Sequence, residues 1–333
     1  MNTDPKLSIC IPTYNQIQFI KQAVESALAQ RCDSFEVVVS DNHCTDGTSE
    51  YLQSLCDPRL RVCRPSEHLP VAKNFDFAAD QSRGEFLTFL SSDDILEPDY
   101  AEKMVPYLDD APTAAFAYCA AVFIDGNGAQ TGIERNIGGS RLRPSDEALK
   151  RFLRGSRCVF DTLMIRRSAF EACGRLAMLR NGGYFRELPD WDLDLRLALE
   201  GDVAYLDEVL VKFRFWSADN REDNSRRLPR YIEEIGRMFD TTVVEIVAAR
   251  PQLAPYALKA RKKMAMNCAM GAGELYGRDS YEQAEKDTLK IYDSLLVRTV
   301  LALHRWRLSP IFEFTRTAKS QLRTQVKQLL YQG

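Results

Sequence analysis

The segment "EFLTFLSSDDILEPDY", Glu85 to Tyr100, decides how the surrounding chain folds, because an apolar run stops abruptly within it. The run from Phe86 to Leu90 predicts a buried strand, and the four residues that follow are Ser-Ser-Asp-Asp. Two adjacent acids at the end of a buried strand are costly unless a partner compensates their charge. Asp93 and Asp94 therefore predict either a ligand site at the end of a strand or a turn that caps the next helix.

Strand and helix patterns alternate around this segment, from the N-terminus to about residue 125. Short apolar runs predict strands, and apolar residues three and four positions apart predict helices. The predicted strands include "LSICIP", "FEVVVSD", "LRVCR" and "AAFAYCAAVFID", and the predicted helices include "QIQFIKQAVESALAQ" and "VAKNFDFAADQS". This alternation predicts an α/β fold with a mainly parallel sheet and helices on both faces.

Polar clusters follow three of the predicted strands. Pro12 to Asn15 end the first strand, Asp41 ends the second, and Asp93 and Asp94 end the fourth. The carboxyl ends of parallel strands lie at one edge of a sheet, and ligands bind at that edge in such folds. We therefore expect the three clusters to form a single site.

The second half of the chain predicts a different organisation. Residues 126–145 are glycine-rich and predict a loop. A strand pattern ends near residue 216, and beyond about residue 228 the pattern is helical almost to the C-terminus. We therefore expect an α/β domain over residues 1–225 and a helical extension over residues 226–333.

The composition argues against several classes of protein. The 333 residues carry a formal net charge of −3, which argues against a whole-chain nucleic-acid binder. No apolar run approaches the ~18 residues of a membrane span, and the N-terminus lacks a signal-peptide pattern, so we expect a cytoplasmic protein. Nine cysteines without a C-x-x-C pair, and only three histidines, argue against disulfides and against a zinc site.

The last segment, residues 296–333, has a distinct charge. It contains a single acid, Glu313, and seven basic residues, Arg298, Arg305, Arg307, Arg316, Lys319, Arg323 and Lys327. Apolar and aromatic side chains are interleaved with these basic residues. Basic helices with an apolar face bind membrane surfaces. The alternative is a helix that packs on the protein body and exposes its basic face to water, and the sequence leaves both open.

The Asp93–Asp94 pair suits a divalent cation. Mg²⁺ and Mn²⁺ prefer oxygen ligands, and Mg²⁺ binds through one or two carboxylates together with substrate phosphates. The small side chains of Ser91 and Ser92 would let a ligand approach the backbone.

Three segments, "PTYNQIQFI", "SDNHCTDGT" and "GEFLTFLSSDD", together resemble the nucleotide-sugar domain of glycosyltransferase family two, the inverting GT-A type. Including a looser acceptor half, the resemblance runs from about residue 6 to about residue 220. Two positions depart from the family pattern. Cys44 stands where serine is usual, and Ser91 stands where the first acid of an Asp-x-Asp motif is usual.

The resemblance implies roles for the residues of the three clusters. Thr13 and Tyr14 would line the base pocket, and Asp41 would bond the base or the ribose. Asp93, with Asp94 beside it, would hold Mg²⁺ or Mn²⁺. The whole donor site would comprise Pro12, Thr13, Tyr14, Asn15, Asp41, Lys73, Asn74, Ser92 and Asp93, with Lys73 and Asn74 near the diphosphate.

"RRSAFEACGRL" and "LPDWDLDLRLALEG" resemble the acceptor-side segment of the family more loosely. Pro189 replaces a glutamate of that segment, and Asp190 keeps the aspartate that serves as general base in the family. Read alone, Asp190 is also a candidate N-cap of the helix that follows, where Arg196 could pair with a neighbouring aspartate. Trp216 stands where the family often has a histidine.

The resemblance implies an inverting glycosyltransferase. Its donor would be a nucleoside-diphosphate sugar, and its acceptor a hydroxyl of a glycan or a lipid-linked oligosaccharide, as in O-antigen or capsule assembly. The basic tail would then keep the protein at the inner face of the membrane. The alternatives are a sugar-phosphate nucleotidyltransferase, disfavoured because "IPTYNQIQF" has no glycine, and a catalytically silent sugar-nucleotide-binding protein.

Overall fold

The computed structural model describes residues 4–136, 138–156, 158–176, 185–215, 224–272, 278–293, 297–298 and 301. The chain divides into two compact units. One comprises Met1–Arg221 with Asp240–Ala257, and the other comprises Glu222–Phe239 with Leu258–Gly333. The predicted boundary at residue 225 stays a prediction.

The first unit alternates strands and helices. Its strands are β1 (Leu7–Thr13), β2 (Phe35–Asp41), β3 (Leu60–Cys63), β4 (Phe86–Phe89), β5 (Ile95–Leu96), β6 (Ala114–Ile124), β7 (Gln130–Glu134), β8 (Arg141–Arg143), β9 (Leu163–Arg166) and β10 (Asp202–Arg214). Its helices are α1 (Ile17–Leu28), α2 (Thr48–Ser54), α3 (Val71–Asp80), α4 (Tyr100–Asp109), α5 (Ser145–Phe152), α6 (Arg167–Ala172), α7 (Pro189–Glu200) and α9 (Thr242–Ala249). Helix α8 (Asn224–Asp240) precedes α9 in the chain, and α10 (Ala254–Ala272) and α11 (Arg278–Ile291) follow it.

The described strands form one ten-stranded sheet in the order β3-β2-β1-β4-β9-β6-β10-β5, with β7 on β6 and β8 on β10. Strands β3, β2, β1 and β4 pair in parallel, and β9 runs antiparallel between β4 and β6. Strand β10 pairs in parallel with β6. Six of the ten strands therefore run in one direction, and the prediction of a mainly parallel α/β sheet is confirmed.

Helices cover both faces of the sheet. Leu7, Ile9 and Ile11 of β1 belong to the core that α1 and α4 close on one face. On the other face, the ring of Phe89 in β4 packs against Phe75 of α3 and Phe170 of α6, with centroid distances of 5.6 and 5.4 Å. A parallel sheet covered on both sides needs mostly apolar strands, and every residue of β1 and β2 is buried.

The register of the parallel strands aligns their carboxyl ends. Thr13, the last residue of β1, pairs with Asp41, the last residue of β2. On the other side of β1, the final pair is Cys10 with Phe89, and the N–H of Leu90 still donates to the carbonyl of Cys10 at 2.9 Å. The three polar clusters therefore lie at one edge of the sheet.

Two short strands lie within residues 126–145, where the glycine-rich sequence predicted a loop. Strand β7 pairs with β6, and β8 pairs with β10, both antiparallel. The prediction was wrong because strand formation here depends on pairing with distant segments rather than on local preference.

The second unit is helical in its described part, as predicted. Helices α8, α10 and α11 contribute to it, and the guanidinium of Arg261 on α10 donates to the carbonyl of Ile291 at the end of α11. Among the described helices, none is both long and apolar enough to cross a bilayer.

Candidate active site at the carboxyl edge of the sheet

The turn after β1 is bonded directly to the loop after β2. Asn15 has a positive φ of 52°, and its side-chain oxygen accepts a hydrogen bond from the N–H of Thr45 at 2.8 Å. The N–H of Asn15 donates to the sulfur of Cys44 at 3.3 Å, and that thiol lies 3.8 Å from the carbonyl oxygen of Thr13. Cys44 therefore makes the contacts that a serine hydroxyl would make, which explains how the departure from the family pattern is tolerated.

Asp41 organises the loop after β2. Its carboxylate accepts hydrogen bonds from the N–H of Cys44 at 3.0 Å, from the hydroxyl of Ser49 at 2.7 Å, and from the guanidinium of Arg64. Burial alone would raise the pKa of Asp41, but these hydrogen bonds hold it below its ordinary value.

The side chains of Thr13 and Tyr14, at the end of β1, differ in their exposure at the edge of the sheet. The ring of Tyr14 is 49% exposed and meets the ring of His68 edge to face, with the centroids 4.6 Å apart. Thr13 is buried, and its hydroxyl has no hydrogen-bond partner among the described residues. An exposed aromatic wall beside an unpaired hydroxyl is an arrangement that can receive a planar polar ring.

The two predicted diphosphate residues lie side by side on α3 but differ in exposure. Asn74 is buried, and its side-chain oxygen accepts a hydrogen bond from the hydroxyl of Ser40 at 2.6 Å. Lys73 is exposed. Asn74 thus joins α3 to the end of β2, and Lys73 supplies a positive charge at the surface.

Asp93 and Asp94 lie in a turn, which the N–H of Asp94 closes by donating to the carbonyl of Ser91 at 3.1 Å. Helix α4 begins only at Tyr100, so neither acid caps it. Ser92 is buried and Asp93 is partly exposed. Asp94 is 1% exposed, and its carboxylate accepts the N–H of Arg214 at 2.5 Å.

A third acid, Asp161, joins this turn and was missed in the sequence. It is fully buried, and both its oxygens bind Ser91, one accepting the N–H and the other the hydroxyl at 3.1 Å. A carboxylate at position 91 would face Asp161, so serine suits this place. A single acid within the apolar run "CVFDTLMI", residues 158–165, was the available signal.

Asp94 and Asp161 share a proton. Burial and the nearby charges of Asp161 and Asp93 raise the pKa of Asp94 well above its ordinary value. Burial raises the pKa of Asp161 to about 6, although its hydrogen bonds from Ser91 act in the opposite direction. Two adjacent buried carboxylates cannot both ionise cheaply, so the protonated Asp94 donates to Asp161.

Arg214, the last residue of β10, is the second residue missed in the sequence. Its guanidinium donates to the carbonyl oxygen of Asp93 at 2.9 Å and to that of Asp125 at 2.7 Å. It also donates to the side-chain oxygen of Gln22 at 3.1 Å and lies 4.6 Å from the ring centre of Phe19. Arg214 therefore fixes the backbone of the acidic turn.

The donor atoms at this edge fit a magnesium-type cation held by few protein ligands. Asp93 is the partly exposed carboxylate, and the remaining oxygens would come from phosphate and water. Within the described residues, no group of three or more His, Cys, Asp or Glu side chains is arranged to hold a metal ion.

Asp190 lies in the first turn of α7, directly after Pro189. The N-cap position belongs to Leu188, so Asp190 is not the N-cap of this helix. Burial raises the pKa of Asp190, and the N–H of Trp191 opposes that rise. A carboxylate with a raised pKa is a stronger base than an ordinary one.

Further along α7, Asp192 and Asp194 make buried polar contacts. Arg196 pairs with Asp192 at 2.7 Å, which confirms the predicted ion pair on this helix. Asp194 follows Asp190 by one turn, is 2% exposed and accepts the hydroxyl of Ser156 at 3.0 Å. Burial and the Asp190 charge raise the pKa of Asp194 well above its ordinary value.

Comparison with family models identifies the chain. A model described as glycosyl transferase family 2 matches residues 8–174, which is half of the sequence. The chain belongs to glycosyl transferase family 2. Membership favours glycosyl transfer over the nucleotidyltransferase and the silent binding protein.

Curated relatives of this family 2 chain include two from Bacillus subtilis (strain 168). The protein named "Putative teichuronic acid biosynthesis glycosyltransferase TuaG" is 29% identical over 216 residues, which are 64% of this chain and 80% of TuaG. The protein named "Putative glycosyltransferase EpsE" is 26% identical over 219 residues, 64% of this chain and 74% of EpsE.

Solved structures of similar fold include S. aureus TarS residues 1–349, with a TM-score of 0.61, 19% identity, and coverage of 90% of this chain and 87% of that one. The mannosyltransferase PcManGT from Pyrobaculum calidifontis, in complex with GDP-Man and Mn²⁺, gives a TM-score of 0.52 at 18% identity and covers 96% of this chain and 84% of its own. The family 2 chain therefore has the GT-A fold.

Several predicted features lie outside the described residues. Trp216 and most of the basic tail, residues 302–333, are among them, and so are residues 177–184 on the acceptor side. The roles assigned to them from the sequence stay predictions.

Proposed function

We propose that this family 2 protein is an inverting glycosyltransferase that moves a sugar from a nucleoside diphosphate to a hydroxyl of a glycan acceptor. The observation that carries the proposal is the strand register that brings Thr13, Asp41 and the turn at Asp93 to one edge. Asp190 supplies a carboxylate base in the same unit.

The donor half of the site suits a nucleoside diphosphate. The exposed ring of Tyr14 would stack on the base, and the hydroxyl of Thr13 and the carboxylate of Asp41 would bond its polar edge. TarS has been solved with UDP and with UDP-GlcNAc, and PcManGT with GDP-Man, which supports a nucleotide-sugar donor here. Pro12, Asn15, Asn74 and Ser92 would shape the pocket, with Lys73 beside the diphosphate.

Asp93 would hold Mg²⁺ or Mn²⁺, which when bound supplies charge neutralisation on the diphosphate leaving group. The partial exposure of Asp93 supports this role. Asp94 was predicted as a second ligand, but its contacts with Arg214 and Asp161 favour a structural role. The Asp93 carboxylate would then carry the protein's share of the binding.

Asp190 would act as the general base. Its carboxylate would accept the proton of the acceptor hydroxyl as that oxygen attacks the anomeric carbon from the side opposite the diphosphate. A single displacement of this kind inverts the anomeric configuration. The raised pKa of Asp190 supports the role, because proton transfer is most efficient when the pKa of the base lies near the working pH.

The acceptor would be a glycan or a lipid-linked oligosaccharide of a bacterial surface polysaccharide, of which O-antigen is one example. The teichuronic acid role in the name of TuaG supports this class. The protein would work in the cytoplasm and, through its basic tail, at the inner face of the membrane.

The proposal is tested by measuring the release of nucleoside diphosphate from nucleotide sugars with Mn²⁺ or Mg²⁺ present. We expect metal-dependent release from the wild-type chain and its loss in Asp93→Ala. Asp110→Ala is the matched control, because Asp110 is an exposed acid at the end of α4. Equal release by Asp93→Ala and the wild type would refute the role of Asp93, and nucleotide-sugar binding without turnover across acceptors would refute the proposed transfer.

A further inference from the structure

Arg143, the last residue of β8, is buried without a hydrogen bond. Its side chain is 2% exposed, and none of its three guanidinium nitrogens has a hydrogen-bond partner in the part of the chain that the structure describes. The nearest ion pair is with Glu147, at 3.7 Å, and that side chain is 58% exposed. A buried guanidinium normally makes several hydrogen bonds, because removing a charge from water is costly. Among the described residues, the counter-ion of Arg143 is therefore a carboxylate that faces solvent and makes no hydrogen bond with it.

The neighbours of Arg143 add positive charge. Burial, together with the charges of Arg151 and Arg141, lowers the pKa of Arg143. Arg151 is partly exposed and donates to the side-chain oxygen of Asn136 at 3.2 Å. Asn136 in turn donates to the hydroxyl of Tyr118 at 2.9 Å. This cluster of Arg143, Arg151, Asn136 and Tyr118 offers donors with a net positive charge.

Two acids lie near this cluster. Asp194 is buried and accepts a hydrogen bond from the hydroxyl of Ser156, and burial together with the charge of Asp190 raises its pKa well above its ordinary value. Glu147 faces solvent, where its attraction to Arg143 is screened.

The cluster lies beside the proposed catalytic base. The indole N–H of Trp191 donates to the carbonyl of Phe152 at 2.7 Å, and these residues adjoin Asp190 and Arg151 respectively. The thiol of Cys158 feels the charges of Asp190 and Asp194 as well as those of the two arginines. Arg151 and Cys158 are both partly exposed.

We propose that Arg143 and Arg151 bind an oxyanion, a phosphate or a carboxylate, that the acceptor glycan carries near its reacting hydroxyl. The planar guanidinium matches both groups with paired hydrogen bonds. The inference rests on the proposed function, because it names a chemical property of the acceptor. An anionic acceptor would compensate Arg143 and bring its hydroxyl to Asp190.

The test measures the thermal stability of the full chain in sodium phosphate, in sodium acetate and in sodium chloride at equal ionic strength. We expect phosphate or acetate to raise the Tm of the wild type above its value in chloride, because a ligand that binds only the folded state stabilises it. A response to phosphate alone indicates a phosphodiester acceptor, and a response to acetate alone indicates a uronic-acid type.

Three variants locate the effect. In Arg143→Gln and Arg151→Gln the dissociation constant of the anion should rise about tenfold or more, because a charge-assisted hydrogen bond is lost. Arg154→Gln is the matched control, since Arg154 is exposed, lies two residues beyond the end of α5 and carries the same charge. If Arg143→Gln does not fold, Arg151→Gln still tests whether the cluster binds the anion.

Two results would overturn the proposal. The first is no difference between the anions and chloride in the wild type, and the second is an undiminished anion response in both variants. In either case the hydrogen bonds of Arg143 would go to a buried water and not to an anion. The rise in Tm that UDP or GDP causes is measured in parallel. If the wild type shows no such rise, the result counts against the proposed donor site and not against anion binding at Arg143.

Discussion

At the scale of single residues, Asp93 and Asp94 are neighbours in the chain with different environments. Asp93 stays partly exposed at the sheet edge, whereas Asp94 is enclosed by Asp161 and the backbone of Arg214. The two acids therefore suit different roles. The exposure of Asp93 suits the proposed cation site, whereas burial and the nearby acids raise the pKa of Asp94.

The shared proton of Asp94 and Asp161 has a consequence for stability. A carboxyl whose pKa is raised in the folded state binds more protons there than in the unfolded state, so the free energy of unfolding falls as pH rises from about 4 to beyond 6. An asparagine at position 94 can still accept from Arg214 and donate to Asp161. We expect Asp94→Asn to be more stable than wild type at pH 8 by about 1–3 kcal/mol.

Urea unfolding at pH 5 and pH 8 checks this expectation. The difference in the free energy of unfolding between pH 5 and pH 8 should shrink in Asp94→Asn. It should remain in Asp110→Asn, where the acid is exposed. A variant less stable than wild type at pH 8 would contradict the shared proton. Lost sugar transfer in a stable Asp94→Asn variant would instead support Asp94 as a metal ligand.

Asp190→Asn tests the proposed base. We expect transfer to fall by about a hundred- to ten-thousand-fold while stabilisation by the nucleotide donor is retained. The base must be ionised, so wild-type transfer should decline as pH falls through the raised pKa of Asp190, above the ordinary ~3.9. Glu200→Gln, at the other end of α7, is the control. Unchanged transfer in Asp190→Asn removes it as the base.

The sequence predicted the residues at the carboxyl edge of the sheet better than the buried residues that support this edge. Thr13, Asp41 and Asp93 follow apolar strands, so strand ends alone place them together. Asp161 and Arg214 reach the same turn from distant parts of the chain. Their contacts depend on long-range packing, which local patterns do not contain.

At the scale of elements, strand β10 fixes the turn that contains Asp93 and Asp94 through a single residue, Arg214. Arg214 joins β10 to the turns after β4 and β6 and to α1. Because the guanidinium is buried, its removal leaves several carbonyl groups without donors. We expect Arg214→Met to lower the free energy of unfolding by about 2–4 kcal/mol and to weaken transfer by loosening the backbone of Asp93.

Lys212→Met is the matched control for Arg214→Met. Lys212 lies two residues earlier on β10 and pairs with Glu97 at 3.2 Å, with 39% of its side chain exposed. Surface pairs of this kind contribute about 0–1 kcal/mol. Similar losses of stability in the two variants, measured by urea unfolding, would show that Arg214 has no special role.

The elements that periodicity could predict were those with local patterns. The apolar run at 35–41 and the helical face at 17–28 correspond to β2 and α1. The two-residue strand β5 and the strands β7 and β8 carry no such pattern, and they exist because β6 and β10 offer edges to pair with. Sequence patterning is weakest for short antiparallel additions of this kind.

At the scale of the whole molecule, the basic tail stays a prediction. We expect deletion of residues 296–333 to reduce sedimentation of the protein with vesicles that contain anionic lipid, because seven positive charges are removed with one negative charge. Full-chain binding should also weaken as sodium chloride is raised. Neutral vesicles serve as the control.

A second variant separates charge from deletion. Arg305→Gln combined with Arg307→Gln keeps the full chain and should lower vesicle binding in part. If the truncated protein sediments with anionic vesicles as the full chain does, the tail has no membrane role.

The position of β9 between β4 and β6 also affects how the chain can assemble during synthesis. Strand β4 leaves the ribosome long before residues 163–166, the segment that covers its free edge. At ~5–20 residues per second, that edge stays open for seconds. Open strand edges invite wrong pairing. The nascent chain is therefore most open to chaperones, and to aggregation, in the interval before β9 emerges.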